Sequence, residues 1–425
     1  MDSEGSVRVI SKDLIQPSSP TPDHLKTLNL SVLDQLSPPG YISLIFFYEA
    51  DELKGLASGT DQAQICHHLK QSLSKTLTLF YPLAGKIDPE SFRVYCDDGG
   101  VEFVEARANA RLRDVVHDVK LEEFQKYLPV DPHRVIHVRE GTLFMVQINF
   151  FDCGGVAVAA CVSHVVADGS SLVDFMNAWA ATCRGENPKT APEFGVLGRY
   201  FPARDMFDSK ILPSLLMGND KLVMKRLVFD KEKLAALKQA AATGDVRDPT
   251  RVEAVSAFIL KHFIETNPLD AKKSLLAWHA VNIRSRASPP LENTFGNGCF
   301  SVAAELSHQH RLPAPELHEL VSKLRRTIRT IDAEYISETE REDRYLSDLG
   351  RVRDLILKGE ADAFCFTSWC RFPMYEVDLG WGKPVRVCTA GFQVNNLAIL
   401  MSTRDGSGIE AWINLLPDKF QSLGF

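Results

Sequence analysis

The sequence predicts an α/β protein built as two domains of similar size, and three observations lead there. At 425 residues the chain is too long for one ordinary core, so two domains of about 200 residues are expected. Strand-like runs alternate along it with segments whose apolar residues recur at three and four positions. Between Gly185 and Asn219 both patterns dissolve into prolines, glycines and isolated aromatics (Pro188, Pro192, Gly195, Tyr200, Pro202, Pro213). That stretch is long for a compact domain and reads as a crossover at 191–220 between domains 1–190 and 221–425.

Composition narrows the class. With 45% hydrophobic and 24% charged residues the chain reads as soluble and globular. The N-terminus, MDSEGSVRVISKDLIQ, has no basic stretch followed by an apolar run. No apolar stretch approaches about 20 residues, so neither secretion nor membrane spanning is expected. Nine cysteines, odd in number and without CxxC pairs, point to reduced thiols in the cytoplasm rather than a disulfide framework or structural zinc. A net charge of −7 and a pI near 6.0 give no reason to expect nucleic acid as a partner.

The elements follow in order. A turn-rich arm with Pro17, Pro20 and Pro22 leads through Leu30–Gln35 to a strand at Tyr41–Tyr48. Ile65, Leu69, Leu73, Leu77 and Phe80 share one face of a helix that Pro82 and Gly85 stop. His67 and His68 on it are adjacent and read as surface or boundary residues. Short strands and loops then run from Arg93 to Phe150, with a turn at Asp97–Gly100, a strand at Leu143–Phe150, and a polar face carrying His133 and His137. Past the crossover, a strand at Val223–Phe229 precedes a helix capped by Asp230, and Thr250 with Glu253 forms a capping box for the next helix. The strand Leu275–Asn282 delivers Arg284 and Arg286, two arginines at alternate strand positions that lie on one face and suit either an ion pair or a phosphate contact. Leu317, Leu320, Val321, Leu324, Ile328 and Ile331 define one long amphipathic helix, followed by a charge-rich stretch from Glu334 to Asp348 that reads as a solvated helix face. The strands Leu397–Ser402 and Ile409–Leu415 form a hairpin around Thr403–Gly408.

The chain is organised around CVSHVVADGSS, Cys161–Ser171. A strand-like run through Val156, Val158 and Val162 ends there, and a helix begins with Leu172, Phe175, Met176 and Trp179 on one face and Asp168 or Ser170 at its cap. His164 therefore stands at a strand end, where the backbone can aim an imidazole into a cleft. The spacing to Asp168 alone does not choose among a metal ligand, a general base and a satisfied polar residue. No further histidine or carboxylate stands nearby at ligand spacing, so no metal is expected. A histidine whose ordinary pKa is about 6.5 can take and return a proton near neutral pH.

His164, Asp168 and Gly169 read HxxxDG, and Asp378-Leu-Gly-Trp-Gly382 reads DLGWG near the C-terminus. In these two motifs, their order and separation, the chain resembles the BAHD family of plant acyl-CoA-dependent acyltransferases. The string Tyr81–Lys86, YPLAGK, resembles a further family landmark that ends in arginine. The resemblance implies two domains with mixed β-sheets flanked by helices, like chloramphenicol acetyltransferase, and an active-site tunnel between them. Part of 360–390 is then expected to pack on the N-terminal domain. The implied activity is acyl transfer from a CoA thioester, with acetyl-CoA as co-substrate, no resident cofactor, and a monomer as the working state.

The resemblance also assigns residues. His164 becomes the general base that takes the acceptor's proton and returns it to the leaving sulfur, and no GxSxG elbow supports an acyl-serine route. Asp168 is a tempting orienter of His164, but the resemblance gives it, with Gly169, a structural role. Asp168 would pair with an arginine matched here by Arg284 or alternatively Arg286. Thr367 and Trp369 of the Thr-Ser-Trp element become oxyanion donors, although a cleft-lining aromatic explains Trp369 equally well. Asp378, Gly380, Trp381 and Gly382 are expected to shape the CoA side without touching the reaction. Leu379 replaces the usual phenylalanine, so local repacking is expected there. Thr250, Arg251 and Ser368 are candidates for CoA, whose phosphates suit helix ends and cationic side chains. Lys221, Lys225 and Arg226 are less specific.

The strings PSSPTP, SFRVYCDDGGVEFVEA, NAWAATCRGE and VMKRLVFDKEK look most like the branch that acetylates hydroxyls of indole alkaloids and other specialised alcohols. O-acetylation of a plant alkaloid or related alcohol is therefore expected. The alternatives are N-acylation of a polyamine or aromatic amine, and a catalytically silent homologue that binds CoA esters or a partner protein.

Overall fold

The computed structural model describes residues 5–50, 62–88, 91–117, 121–131, 142–204, 222–266, 273–307, 314–390 and 394–422. The chain divides into two units of dense internal contact. The first comprises Met1–Met206, Asn293–Asn297 and Phe372–Phe392, and the second Phe207–Glu292, Gly298–Arg371 and Gln393–Phe425. Of the 191–220 stretch, 205–220 lies outside the described residues, as do His133, His137 and Lys221. Each unit takes back short pieces of distant sequence, and those pieces carry much of the site's geometry.

The first unit holds a mixed six-stranded sheet. Its strands are β1 (Val7–Ile15), β3 (Tyr41–Tyr48), β6 (Val101–Ala108), β7 (Phe144–Phe151), β8 (Val156–Ser163) and β13 (Arg386–Cys388), in the order β1-β6-β7-β8-β3-β13. Only β6 and β7 run parallel. Every residue of β3, β7 and β8 is buried, which is why these strands read as continuous rather than alternating apolar runs. A small second sheet joins β2 (Thr27–Asn29), β5 (Arg93–Tyr95) and β4 (Lys86–Asp88). Helices Gln62–Leu79 and Gly169–Cys183 pack together, and the buried Trp179 indole donates to Ser72 Oγ at 3.0 Å. His68 lies at the boundary between them, its Nε2 2.9 Å from the Cys183 carbonyl.

The second unit holds another mixed six-stranded sheet, in the order β11-β10-β12-β14-β15-β9. These strands are β9 (Val223–Phe229), β10 (Ser274–Asn282), β11 (Cys299–Leu306), β12 (Ala361–Ser368), β14 (Leu397–Ser402) and β15 (Ile409–Leu415). Leu275, Ala277, Phe364, Ala398 and Ile413 line the face that packs on Val255, Ile259, Phe263, Leu320 and Leu324 of the helices. The expected caps form. Asp230 Oδ1 accepts from Lys233 N at 2.8 Å, while Thr250 and Glu253 exchange bonds of 2.8 and 3.2 Å. Glu253 also makes a bidentate pair with Arg325 at 2.9 and 2.6 Å, joining the helices Arg251–Thr266 and Leu317–Arg329.

Two expectations need correction here. The strand carrying Arg284 and Arg286 ends at Asn282, because Asn282 Oδ1 accepts from Arg284 N at 3.0 Å and turns the chain. Arg286 instead donates through Nη1 to Ile328 O and Ile331 O at 2.9 and 2.8 Å, filling acceptors left at a helix C-terminus. The long helix likewise stops at Arg329, and the charge-rich stretch is two helices, Ala333–Glu342 and Arg344–Leu357. Asp332 caps the first through Tyr335 N at 2.9 Å, and Asp343 breaks them apart in a left-handed conformation with φ 54°.

His279 on β10 is 6% exposed and stacks on Phe366 at 4.7 Å. Burial pushes its imidazole from 6.5 down to about 4. The folded state then binds fewer protons than the unfolded chain between these values. The stabilisation is complete above pH 6.5 and is lost as pH falls toward 4, on the order of 3 kcal/mol in all. Urea midpoints across pH 7 to 4 should show this loss, and His279→Phe should flatten the dependence.

Candidate active site

His164 follows the last residue of β8, a fully buried strand held between β3 and β7. Its backbone N–H donates to Gly40 O at 2.9 Å, fixing the first residue past the ladder. The helix then starts at Gly169 with Asp168 as its N-cap, Oδ1 accepting from Ser171 N at 2.9 Å. Leu172, Phe175, Met176 and Trp179 are all buried, as their spacing requires. The strand end and the helix start thus clamp the five-residue HVVAD connection from both sides.

The partner of the imidazole is Asn297. His164 Nδ1 lies 3.0 Å from Asn297 Oδ1. Asn297 Nδ2 donates to Asp34 Oδ1 at 2.8 Å and to the His164 carbonyl at 2.7 Å. The carbonyl has no proton to give, so the amide nitrogen must face it and the amide oxygen must face the ring. Nδ1 therefore carries the proton in the neutral ring, and Nε2 is the basic nitrogen. Asn297 is 1% exposed, so no solvent competes for this arrangement.

Asp34 anchors the chain of bonds. It sits in the short helix Val32–Gln35, and its Oδ2 accepts from Ser31 N and Ser31 Oγ, both at 2.7 Å, in a capping box. Burial pushes its carboxyl pKa up, while the Ser31 and Asn297 donors oppose that shift. The 293–297 loop is locked from its other side. Gly296 O accepts from Asp168 N at 3.3 Å and from Ser171 Oγ at 3.0 Å, and Gly296 adopts φ 135°, a conformation open to glycine but strained for other residues.

Burial lowers the pKa of His164, partly offset by its own backbone, the Asp168 charge and Asn297. The lowered value keeps the ring neutral at physiological pH, the form in which Nε2 can accept a proton.

The DLGWG segment is a tight structural bend within the first unit. Asp378 Oδ1 accepts from Gly380 N and Gly382 N at 2.9 and 2.8 Å, and both glycines have positive φ, 100° and 116°. Trp381 is buried edge-to-face against Tyr48 at 5.8 Å, and Tyr48 Oη donates to Val377 O at 2.9 Å. Asp378 O accepts from Arg184. Leu379 is 1% exposed. Leu379→Phe should leave turnover unchanged and lower stability by about 1–3 kcal/mol from overpacking, read as a shift in the urea midpoint.

The remaining candidates lie in the second unit. Thr367 and Ser368 end β12 beside Ile399 and Leu400, and Trp369 N donates to Leu400 O at 2.7 Å. Arg251 Nη1 donates to Gly406 O at 2.6 Å in the β14–β15 turn. Ser368 and Arg251 both act on the Cys370 thiol, which burial pushes upward and these two groups draw back, so two of the CoA candidates share one locality with Cys370. Arg284 is 4% exposed. A Cβ on Gly298 would come within 2.6 Å of its guanidinium, so Gly298→Ala should displace Arg284 and cost about 1–3 kcal/mol, measurable as a drop in Tm.

Among the described residues no cluster of three or more His, Cys, Asp or Glu is placed to hold a metal ion, and no helix is long and apolar enough to cross a membrane. Sequence reasoning missed Asn297 and Asp34. The glycine before Asn297 signals a close backbone approach, and Ser31 three residues before Asp34 is a capping signature. Neither signal says that the two residues meet at His164.

Two mixed sheets flanked by helices, with HxxxDG closing a buried strand and DLGWG folded into the same unit, define an acyltransferase. The chain belongs to the Transferase family, which it matches over residues 5–423, and these are the BAHD enzymes that its motifs resemble. It is similar to vinorine synthase of Rauvolfia serpentina, 41% identical over 97% of this chain and 95% of the relative. It is also similar to stemmadenine O-acetyltransferase of Catharanthus roseus, 38% identical over 98% and 96%. The crystal structure of vinorine synthase superposes with a TM-score of 0.83 at 37% identity, covering 98% of this chain and 96% of that one. The chain therefore falls in the vinorine-synthase-like branch. F. graminearum TRI101 in complex with ethyl coenzyme A shares the fold, with a TM-score of 0.67 at 17% identity over 93% and 96% of the two chains.

Proposed function

We propose that this enzyme transfers the acetyl group of acetyl-CoA to a hydroxyl of an alkaloid or related specialised alcohol. The observation that carries the reading is the His164–Asn297–Asp34 chain of bonds, which fixes the ring tautomer and leaves Nε2 as the basic atom. His164 Nε2 takes the hydroxyl proton as that oxygen bonds to the thioester carbonyl carbon. The tetrahedral intermediate collapses with cleavage of the C–S bond, and the same proton passes to the departing thiolate. No acyl-enzyme forms, because the thioester is already activated for direct attack.

Thr367 and Trp369 are assigned as donors to the oxyanion, since a hydroxyl and an indole N–H can favour negative charge developing on oxygen. Trp369→Phe is then expected to lower kcat at constant KM for acetyl-CoA. Thr250, Arg251 and Ser368 are assigned to CoA. Asp168 with Gly169 supports the site by capping the helix behind it. Its pairing with Arg284 is carried over from the family resemblance, and Arg286 is the weaker alternative because its Nη1 is occupied by two carbonyls. The working state is a cytoplasmic monomer.

The donor and acceptor reading draws on the names of the relatives, which include two further acetyltransferases acting on limonoid hydroxyls in Citrus sinensis. The test follows free thiol release from acetyl-CoA with a panel of indole alkaloid alcohols and, in parallel, polyamines and aromatic amines. Turnover with alcohols supports the proposal, and turnover with amines alone replaces it with N-acylation. No thiol release with any acceptor would leave a silent CoA-ester-binding homologue.

A further inference from the structure

The second unit contains a cavity of about 860 Å³, within the range of small-molecule sites. It lies along β11, at the edge of the sheet, and the roles assigned to His164, Thr367 and the CoA candidates make no use of it. Leu276 and Trp278 of β10 with Ala303 of β11 form the apolar floor, and Leu349 stands opposite on the Arg344–Leu357 helix.

The β11 backbone adds polar groups to this floor. Ser301 N donates to Tyr345 Oη at 2.9 Å, so the Ser301↔Ala280 pair is of the non-hydrogen-bonded type. Two residues on, Ala303↔Trp278 is of the same type, so the Ala303 N–H also points away from β10, and so does that of Glu305. These donors lie on the strand that lines the cavity.

Charge completes the pattern. The carboxylates Asp348 and Asp354 on the cavity wall are each paired with an arginine, Arg351 and Arg353, and Arg344 is paired with Glu338. Three cations lining the cavity, Lys323, Arg326 and Lys358, have no acidic partner among the described residues, against one carboxylate without a cationic partner, Glu305, whose Oε1 accepts from Ser274 Oγ at 2.8 Å. Lys323 and Arg326 sit at i and i+3 on the Leu317–Arg329 helix, with the Thr327 hydroxyl one turn from Lys323. Favourable placement at a helix C-terminus accounts for Arg326, in the last turn of one helix, and for Lys358, the C-cap of another, but not for Lys323, nor for the cavity.

We propose that this cavity binds a small amphipathic anion, an aromatic or fused-ring body bearing one carboxylate, sulfonate or phosphate. The anionic group sits at Lys323 and Arg326, and the ring system lies on the floor of Trp278, Leu276 and Ala303. The site stands apart from the acyl-transfer reading and does not depend on it.

The probe is 8-anilinonaphthalene-1-sulfonate, titrated by calorimetry into the full chain in the presence of saturating CoA. One equivalent should bind, more weakly as salt is raised. Lys323→Glu with Arg326→Glu should raise Kd by at least about tenfold, and Ala303→Phe, which fills the floor, should abolish binding. Thiol release and the circular dichroism spectrum should be unchanged in the charge-reversal variant, which alters only surface side chains. An unchanged Kd in both variants, or loss of probe binding when CoA is added, overturns the proposal.

Discussion

His164→Ala should lower kcat/KM for acetyl-CoA-dependent thiol release by about 10²–10⁴-fold while the protein stays folded. The loss is large because the thioester needs no covalent catalyst, and removal of the acceptor's proton is the step that needs a side-chain base. The fold should survive because His164 follows a strand whose ladder is complete without it, and its backbone bond to Gly40 remains available to alanine. Asn297 and Asp34 keep their mutual bond of 2.8 Å. Because burial lowers the imidazole pKa, the acid limb of the wild-type kcat/KM profile should fall below the ordinary histidine value of about 6.5. Activity is lost only as pH drops through that lowered value, since only then is Nε2 protonated and unable to act as base.

Asn297→Ala is expected to produce the second largest effect, and it should appear in two observables at once. Removing the amide takes from His164 Nδ1 its acceptor, so the ring is free to adopt the tautomer with Nε2 protonated, which cannot act as base. A fall of about 10²-fold in kcat is expected, short of the roughly 10⁴-fold that a wrong tautomer costs when it is enforced. The same substitution strips the buried Asp34 carboxyl of a donor at 2.8 Å and the His164 carbonyl of one at 2.7 Å. Each unsatisfied buried group costs about 1–3 kcal/mol, so urea unfolding should register a loss of several kcal/mol. A purely structural role for Asn297 would lower stability and leave kcat and its pH dependence unmoved once the folded fraction is corrected for.

How far this site was legible in the sequence depended on how local each feature is. The strand end at Ser163, the Asp168 cap, the apolar face of the following helix and the Thr250–Glu253 box are each written within a few residues, and periodicity finds them. Two mixed sheets flanked by helices followed from the motif resemblance, and the structure and its relatives agree. The partners of His164 could not be found in this way, because Asn297 is 133 residues and Asp34 is 130 residues from it along the chain, and Asn297 meets Asp34 across 263. Only folding brings the 293–297 loop back into the first unit. Arg284 and Arg286 were misplaced on a strand because periodicity does not report where a ladder stops. Asn282, a residue whose side chain competes with the ladder for backbone N–H groups, ends it and sends the two arginines to different partners. The break at Asp343 was hidden for a similar reason, since a left-handed aspartate leaves no mark on charge or apolar spacing.

The most direct measurement is a ¹⁵N NMR titration of the His164 ring, its signals identified by their disappearance in His164→Ala. The account predicts that the neutral ring carries its proton on Nδ1 and titrates below 6.5. A neutral ring protonated on Nε2, or a titration above the ordinary histidine value, would contradict it.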